Sequence, residues 1–237
     1  MALVLPQLTA DPSWFPPPST ALTDPDGLLA FGGDLSVTRL IHAYQQGIFP
    51  WFSAGDPLLW WSPSTRAVFA PDTLQMNRTL RKYQAQQKFH FSCNLAFADV
   101  IKHCAAPRKN HPSTWIVPQI QQSYRALHQA GMAHSIEVWQ DKQLVGGLYG
   151  ITVGGLFCGE SMFNLTANTA KLALIILQQH LKCYCAGWID CQMPNPFLLQ
   201  QGASPLPRNE YLQLLARLKT EICPTSHWQP RALELDL

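Results

Sequence analysis

Three polar side chains in this sequence of 237 residues sit among apolar neighbours that make them costly to bury. The run LFCGESMF over 156–163 sets Glu160 at the end of an apolar strand, and WIDCQ over 188–192 carries Asp190 inside another, with Gln192 two residues on. A carboxylate within so apolar a strand is unfavourable unless it is paired or working, which weighs function above packing for Asp190. Period-two alternation puts Trp188, Asp190 and Gln192 on one face and Ile189 and Cys191 on the other. Two acids and a carboxamide beside apolar walls can hold a cationic amine and steer it onto an ester that is already activated. Aminolysis of such an ester needs proximity and oriented polar groups and little else. Other chemistries lack their signatures: the sequence contains no GxSxG, Walker loop, HExxH or GxGxxG following a strand. The nearest match to a coenzyme A pyrophosphate loop, QLVGGL over 143–148, fails at its last position and lies in a hairpin.

The elements that must position these groups can be read around the glycine-rich stretch 146–163. Six of the fourteen glycines fall within 146–159, between β-forming residues, which predicts two strands joined by a turn at Gly154-Gly155. Glycine inside strands marks a bulge or a close approach by another backbone or a ligand. A strand over 134–139 precedes this hairpin through an Asp141-Lys142 turn. An apolar helix is expected over 167–182, another at 74–88, one from Pro118 to Gly131 with Ile120, Tyr124 and Leu127 as its buried stripe, and a last one over 209–219. Ser36 and Gly47 bracket a helix near the start. Helix and strand segments in this order predict an α+β protein with a meander of at least three strands.

Composition narrows the class. Residues 1–64 carry one base and five acids, residues 65–109 eight bases and two acids, and the remainder eight of each. A basic segment in a nearly neutral chain suggests a local polyanion-binding face, here Arg78, Arg81, Lys82 and Lys88 on or beside one helix. Phe49, Trp51, Phe52, Trp60 and Trp61 crowd the loop-rich stretch just before it. A boundary at residue 64 would divide a small N-terminal domain, 1–64, from a larger one, 65–237. Seven cysteines, an odd number with no CxxC and no His at finger spacing, are not expected to form a disulfide framework or a zinc site. No metal or cofactor is expected. The start, MALVLPQLT, has no basic n-region, and no run of 18 apolar residues occurs, so a cytoplasmic protein without a membrane span is expected.

The runs GLLAFGGDLSV over 27–37, AYQQGIFPWFSAGDPLLWWSPS over 43–64, HSIEVW, VGGLYG, LFCGESMF and IDCQ agree in order and spacing with one family. In them the chain resembles the leucyl/phenylalanyl-tRNA–protein transferases. That resemblance implies a C-terminal domain similar to the acetyltransferases of the GNAT superfamily, with a mixed sheet flanked by helices. It implies transfer of Leu, Phe or Met from aminoacyl-tRNA to proteins whose N-terminus is Arg or Lys, marking them for the N-end rule pathway. With no self-pairing apolar stripe evident, a monomer is expected. Trp51 and Trp115 match the rings that hold the tRNA's terminal adenosine, a role suited to stacking an unpaired base. Leu148, Phe157, Leu174, Leu177, Leu181 and Ile189 match the side-chain pocket. Asp190 and Gln192 match the catalytic pair, with Glu160 nearby, and Arg78, Arg81, Lys82 and Lys88 fall in the tRNA-binding stretch. Asp190 could relay a proton or act as an orienting anion. The chain departs from the family pattern at Phe197, where His is frequent, at 200–203 (QQGA), and at Ala170. A coenzyme A-dependent N-acetyltransferase of the same fold and a non-catalytic RNA-end-binding protein are the alternatives.

Overall fold

The computed structural model describes residues 5–107 and 114–234. Part of the polar loop before Trp115, with Arg108 and Lys109, lies outside the described residues, as do the first four residues and the end of the C-terminal tail.

The chain begins with β1 (Gln7–Leu8), β2 (Leu28–Gly32), α1 (Val37–Tyr44), β3 (Phe49–Pro50) and β4 (Leu59–Trp61). Ser36 caps α1 by accepting from the Arg39 amide at 3.3 Å, and Gly47, at φ +75°, turns the chain out of it. The four strands form a sheet in the order β1-β2-β4-β3. Then come β5 (Thr65–Phe69), α2 (Arg78–Gln87), β6 (His90–Cys93), α3 (Phe97–Ala105) and α4 (Pro118–Gln129). The meander follows as β7 (Ala133–Gln140), β8 (Gln143–Val153) and β9 (Leu156–Asn164). After it run α5 (Thr169–Lys182), β10 (Trp188–Asp190), α6 (Pro196–Gln200), β11 (Ser204–Pro207), α7 (Arg208–Leu218) and β12 (Arg231–Leu233). The second sheet has eight strands in the order β11-β5-β10-β9-β8-β7-β6-β12 and is mixed, because β10 runs parallel to β9 and antiparallel to β5. The fold is therefore α+β.

The expected turns form. Asp141 and Lys142 both take positive φ, as a two-residue hairpin turn between right-twisted strands requires, and Ile120, Tyr124 and Leu127 are buried along α4. The helix expected over 74–88 begins four residues later. Asn77 accepts from the Leu80 amide at 2.8 Å and starts the helix there, while the Leu74 amide is drawn off to Gln178 Oε1 at 2.7 Å. The strand expected over 188–192 ends at Asp190, and Gln192 takes φ +60°, so simple alternation does not orient it. One disulfide, Cys185–Cys223, joins the end of α5 to the segment after α7, where none was expected.

One apolar cluster joins the N-terminal sheet and α1 to α3, α4 and one face of the large sheet; a second lies between α5 and the opposite face. The site lies where these two layers meet at the β9–β10 seam.

Candidate active site

Two local features open this seam. Along β8–β9, Tyr149 pairs with Ser161 but Gly150 pairs with Gly159, so Glu160 is the extra residue of a bulge. Gly150 permits it, since a Cβ there would stand 2.2 Å from the Cys158 carbonyl oxygen. On the other side, β10 pairs with β9 only from Trp188–Leu156 to Asp190–Cys158. Beyond that, the Cys191 amide donates to Ala67 O at 2.8 Å and the Ala67 amide to Gln192 O at 3.0 Å. The chain thus stays bonded to β5 and parts from β9.

A cavity of about 560 Å³ occupies the gap. Leu148, Phe157, Leu174, Leu177 and Ile189 line it as an apolar pocket; Glu160 and Gln192 stand on its polar side; Trp51 borders it from the loop between β3 and β4, and Trp115 from the segment that leads into α4. Trp51 is 38 % exposed and rests edge-on against Trp61, whose Nε1 donates to the Trp51 carbonyl at 2.6 Å. One face of the ring pair is braced and the ring remains accessible. Phe49, Met193 and Phe197 also line the cavity and were not singled out from sequence as its lining.

Two expected residues stand elsewhere. Leu181 is buried in the second core cluster, because α5 has run past the cavity one turn after Leu177. Asp190 is fully buried and lies behind the cavity wall, absent from its lining. Its carboxylate is saturated. Oδ1 accepts from Arg66 Nε at 3.2 Å and from the Gln192 amide at 2.9 Å, and Oδ2 accepts from Arg66 Nη2 and from the Tyr211 hydroxyl at 2.9 Å. Burial works against the Arg66 charge, but Asp190 together with Tyr211 and Cys158 more than offsets it, and the guanidinium is held above its ordinary value. Phe49 and Tyr211 lie against that guanidinium, with their centroids 5.0 and 4.3 Å away. Arg66 had been read as one of eight bases in a basic segment. Its place in a β-forming TRAVF run was the available signal that it is buried.

Glu160 has different partners. Tyr44 donates to its Oε1 at 2.6 Å, Gln192 Nε2 donates to the same oxygen at 2.8 Å, and Tyr124 donates to Oε2 at 2.9 Å. Burial pushes its carboxyl up, against the pull of the two tyrosine hydrogen bonds, to about 7. Tyr124 had been taken as part of an apolar stripe. A buried Tyr must still satisfy its hydroxyl, and that was the legible hint.

Arg78, Arg81, Lys82 and Lys88 are exposed on and just after α2, and none belongs to the cavity lining. Among the described residues no group of three or more His, Cys, Asp or Glu side chains could hold a metal ion, and no helix is long and apolar enough to cross a membrane.

The arrangement offers an apolar pocket, accessible indoles and a glutamine held through its carboxamide by Glu160 and through its backbone amide by Asp190, a set suited to aligning an amine with an ester. A family profile described as leucyl/phenylalanyl-tRNA protein transferase matches residues 68–216, and its N-terminal-domain counterpart matches 33–64. A leucyl/phenylalanyl-tRNA–protein transferase of Tolumonas auensis is 51 % identical over 222 residues, covering 94 % of this chain and 95 % of that protein. Its counterpart in Shewanella piezotolerans is 50 % identical over 230 residues, covering 97 % and 98 %. The chain belongs to the leucyl/phenylalanyl-tRNA–protein transferase family.

Proposed function

We propose that this protein moves an aminoacyl group from the 3′ end of a charged tRNA onto the α-amino group at a protein's N-terminus, forming a peptide bond. The observation that carries the reading is a single cavity in which two indoles, an apolar pocket and the Gln192–Glu160 pair converge. The indoles stack the terminal adenosine, the pocket takes the donor's side chain, and the ester carbonyl then lies toward Gln192. An unbranched or γ-branched side chain suits the leucine-lined pocket, so Leu, Phe and Met are the donors. Proteins starting with Arg or Lys are the acceptors, and the transfer marks them for the N-end rule pathway. The exposed cations of α2 meet acceptor-stem phosphates.

Asp190 is an orienting anion. With four hydrogen bonds already accepted, it has no lone pair left for a substrate proton, and its bond to the Gln192 backbone amide holds that residue at its unusual φ. Residues 65–237 share the plan of the GNAT-type acyltransferases. The meander, the crossover helix and a parallel strand that parts from its neighbour at the site support this kinship. The four-stranded sheet, contained within residues 7–61, supports a boundary near residue 64.

The test is a transfer assay with Leu-, Phe- and Met-tRNA against peptides starting with Arg, Lys or Ala. Transfer confined to Arg and Lys peptides is expected. Acetylation of the same peptides from acetyl-coenzyme A, without transfer from tRNA, would replace this reading with the acetyltransferase one.

A further inference from the structure

Four oxygen atoms of three side chains meet behind the polar side of the cavity. Tyr44 Oη lies 2.5 Å from Tyr124 Oη and 2.6 Å from Glu160 Oε1, and Tyr124 Oη lies 2.9 Å from Glu160 Oε2. The contacts close a ring through the carboxyl group. Each tyrosine has one hydroxyl proton to donate, so two phenols can supply two of the three links. The third link has a proton only if the carboxyl group brings its own. With Glu160 ionised, both phenols must turn toward it, and their lone pairs then face each other at 2.5 Å. With Glu160 protonated, one phenol accepts the carboxyl proton and donates to the other, which donates to the second carboxyl oxygen, so every link in the ring has one donor and one acceptor.

The surroundings favour the same count. Tyr44 comes from α1, Tyr124 from α4 and Tyr149 from β8; burial first, and then the Glu160 charge, hold all three phenols well above their ordinary value, so none supplies an anion. Cys158, on the same strand as Glu160, is likewise held up by burial. Among the described residues, the cation acting on Glu160, Arg66 on β5, is engaged by Asp190 on β10, and Gln192 is neutral. Glu160 therefore has hydrogen-bond donors but no counter-ion, a setting that disfavours the carboxylate.

We propose that the Tyr44–Glu160–Tyr124 ring holds Glu160 as an un-ionised carboxylic acid in the resting site, which makes the two tyrosines positioning residues for the reaction. The consequence rests on the aminoacyl-transfer reading. With Asp190 balanced by Arg66 and Glu160 neutral, the cavity carries no unpaired negative charge. An α-ammonium entering it loses water without gaining an anion and is favoured to enter as the free amine, the form whose lone pair can attack the ester. Burial, which carries Glu160 to about 7, works in the same direction.

The decisive measurement is the infrared difference spectrum between the wild type and Glu160→Gln at about pH 6, one unit below that value. The expected result is the C=O stretch of a neutral carboxylic acid in the wild type alone, disappearing on titration through about 7. A difference spectrum containing only carboxylate bands would overturn the proposal. Opening the ring with Tyr44→Phe or Tyr124→Phe removes the contact that demands a third proton, so the band's midpoint should fall, and the pH profile of transfer should follow it. An unmoved or raised midpoint would mean that the phenols only donate to a carboxylate, and would equally overturn the ring. The spectra require no tRNA. A band without transfer activity would therefore refute the proposed function and leave the ring intact, while transfer without the band would do the reverse.

Discussion

Asp190 and Glu160 both bond to Gln192, one through its backbone amide and one through its side chain, yet they are built as opposites. Asp190 lies behind the wall with a guanidinium at its side, so its charge is balanced where it stands. Glu160 faces the cavity with two phenols and no cation. The first environment keeps a charge in place and uses it to hold a neighbour. The second leaves the ionisation poised close to neutrality. A third buried acid sharpens the contrast. Glu137 accepts from Ser92, Ser135 and the Ala96 amide, and burial raises its carboxyl too, but it is not part of this cavity's lining, so a perturbed acid alone does not mark a site.

The largest effect should come from Asp190→Ala. It leaves Arg66 buried without its partner, and breaking a buried pair from one side costs about 3–5 kcal/mol. Urea unfolding should show a loss of that size, and transfer from tRNA should vanish. Asp190→Asn, which fills the same space, should still lose transfer. Stability at the wild-type level in the Ala variant would show that the ion pair does not anchor the wall.

The next effect separates the two acids by pH. The Glu160 carboxyl is raised in the fold from 4.5 to about 7, so its contribution to stability is fully present below 4.5 and is lost as pH rises through about 7. At roughly 1.4 kcal/mol per unit of pH, this is on the order of 3 kcal/mol. His134 runs the other way. Burial lowers it from 6.5 to about 3, so its contribution is present above 6.5 and is lost as pH falls toward 3. Unfolding measured between these limits in Glu160→Gln should lose the alkaline decline and keep the acid one. An unchanged alkaline limb would place the titrating group elsewhere.

How much of this pair could be read beforehand depended on the range of the interactions. Asp190 was flagged because a charge in an apolar strand needs a reason, but nothing local named Arg66, which reaches it across 124 positions. Glu160 was placed at a strand's end; its bulge depends on register between two strands, which hydrophobic pattern does not encode. The hairpin turns were legible because positive φ is a local demand. The hairpin's glycines were read as marks of a bulge or a close approach, and both occur: Gly150 accommodates the bulge, and a Cβ at Gly146 would meet Thr169 of α5 at 2.2 Å. Gly159 is the hairpin glycine that lines the cavity. Tyr124 was legible as buried but not as a partner of Tyr44, since α1 and α4 meet only in the fold.

A smaller effect should follow from a change on the wall away from both acids. Leu174 lines the apolar pocket from α5, so Leu174→Phe narrows it without touching the polar groups. Discrimination by a few methylene volumes in an apolar pocket amounts to about tenfold or somewhat more. Transfer of Phe should fall about tenfold relative to Leu, read as the ratio of kcat/KM values, with the pH profile unmoved. A shifted profile would mean that the pocket and the Glu160 ring are not independent.

The smallest effect, and the one furthest from either carboxylate, belongs to α2. Arg81 is exposed and makes no ion pair among the described residues, so Arg81→Glu should leave stability nearly unchanged. If its guanidinium meets a phosphate, the variant binds tRNA more weakly, and the slope of log K against log salt becomes shallower by about one. Because neither acid is touched, kcat at saturating tRNA should keep its wild-type pH profile while KM rises. Unaltered affinity and slope would make the α2 cations a solvated face and shift the search for the tRNA-binding surface to the indole-bearing loops around the cavity.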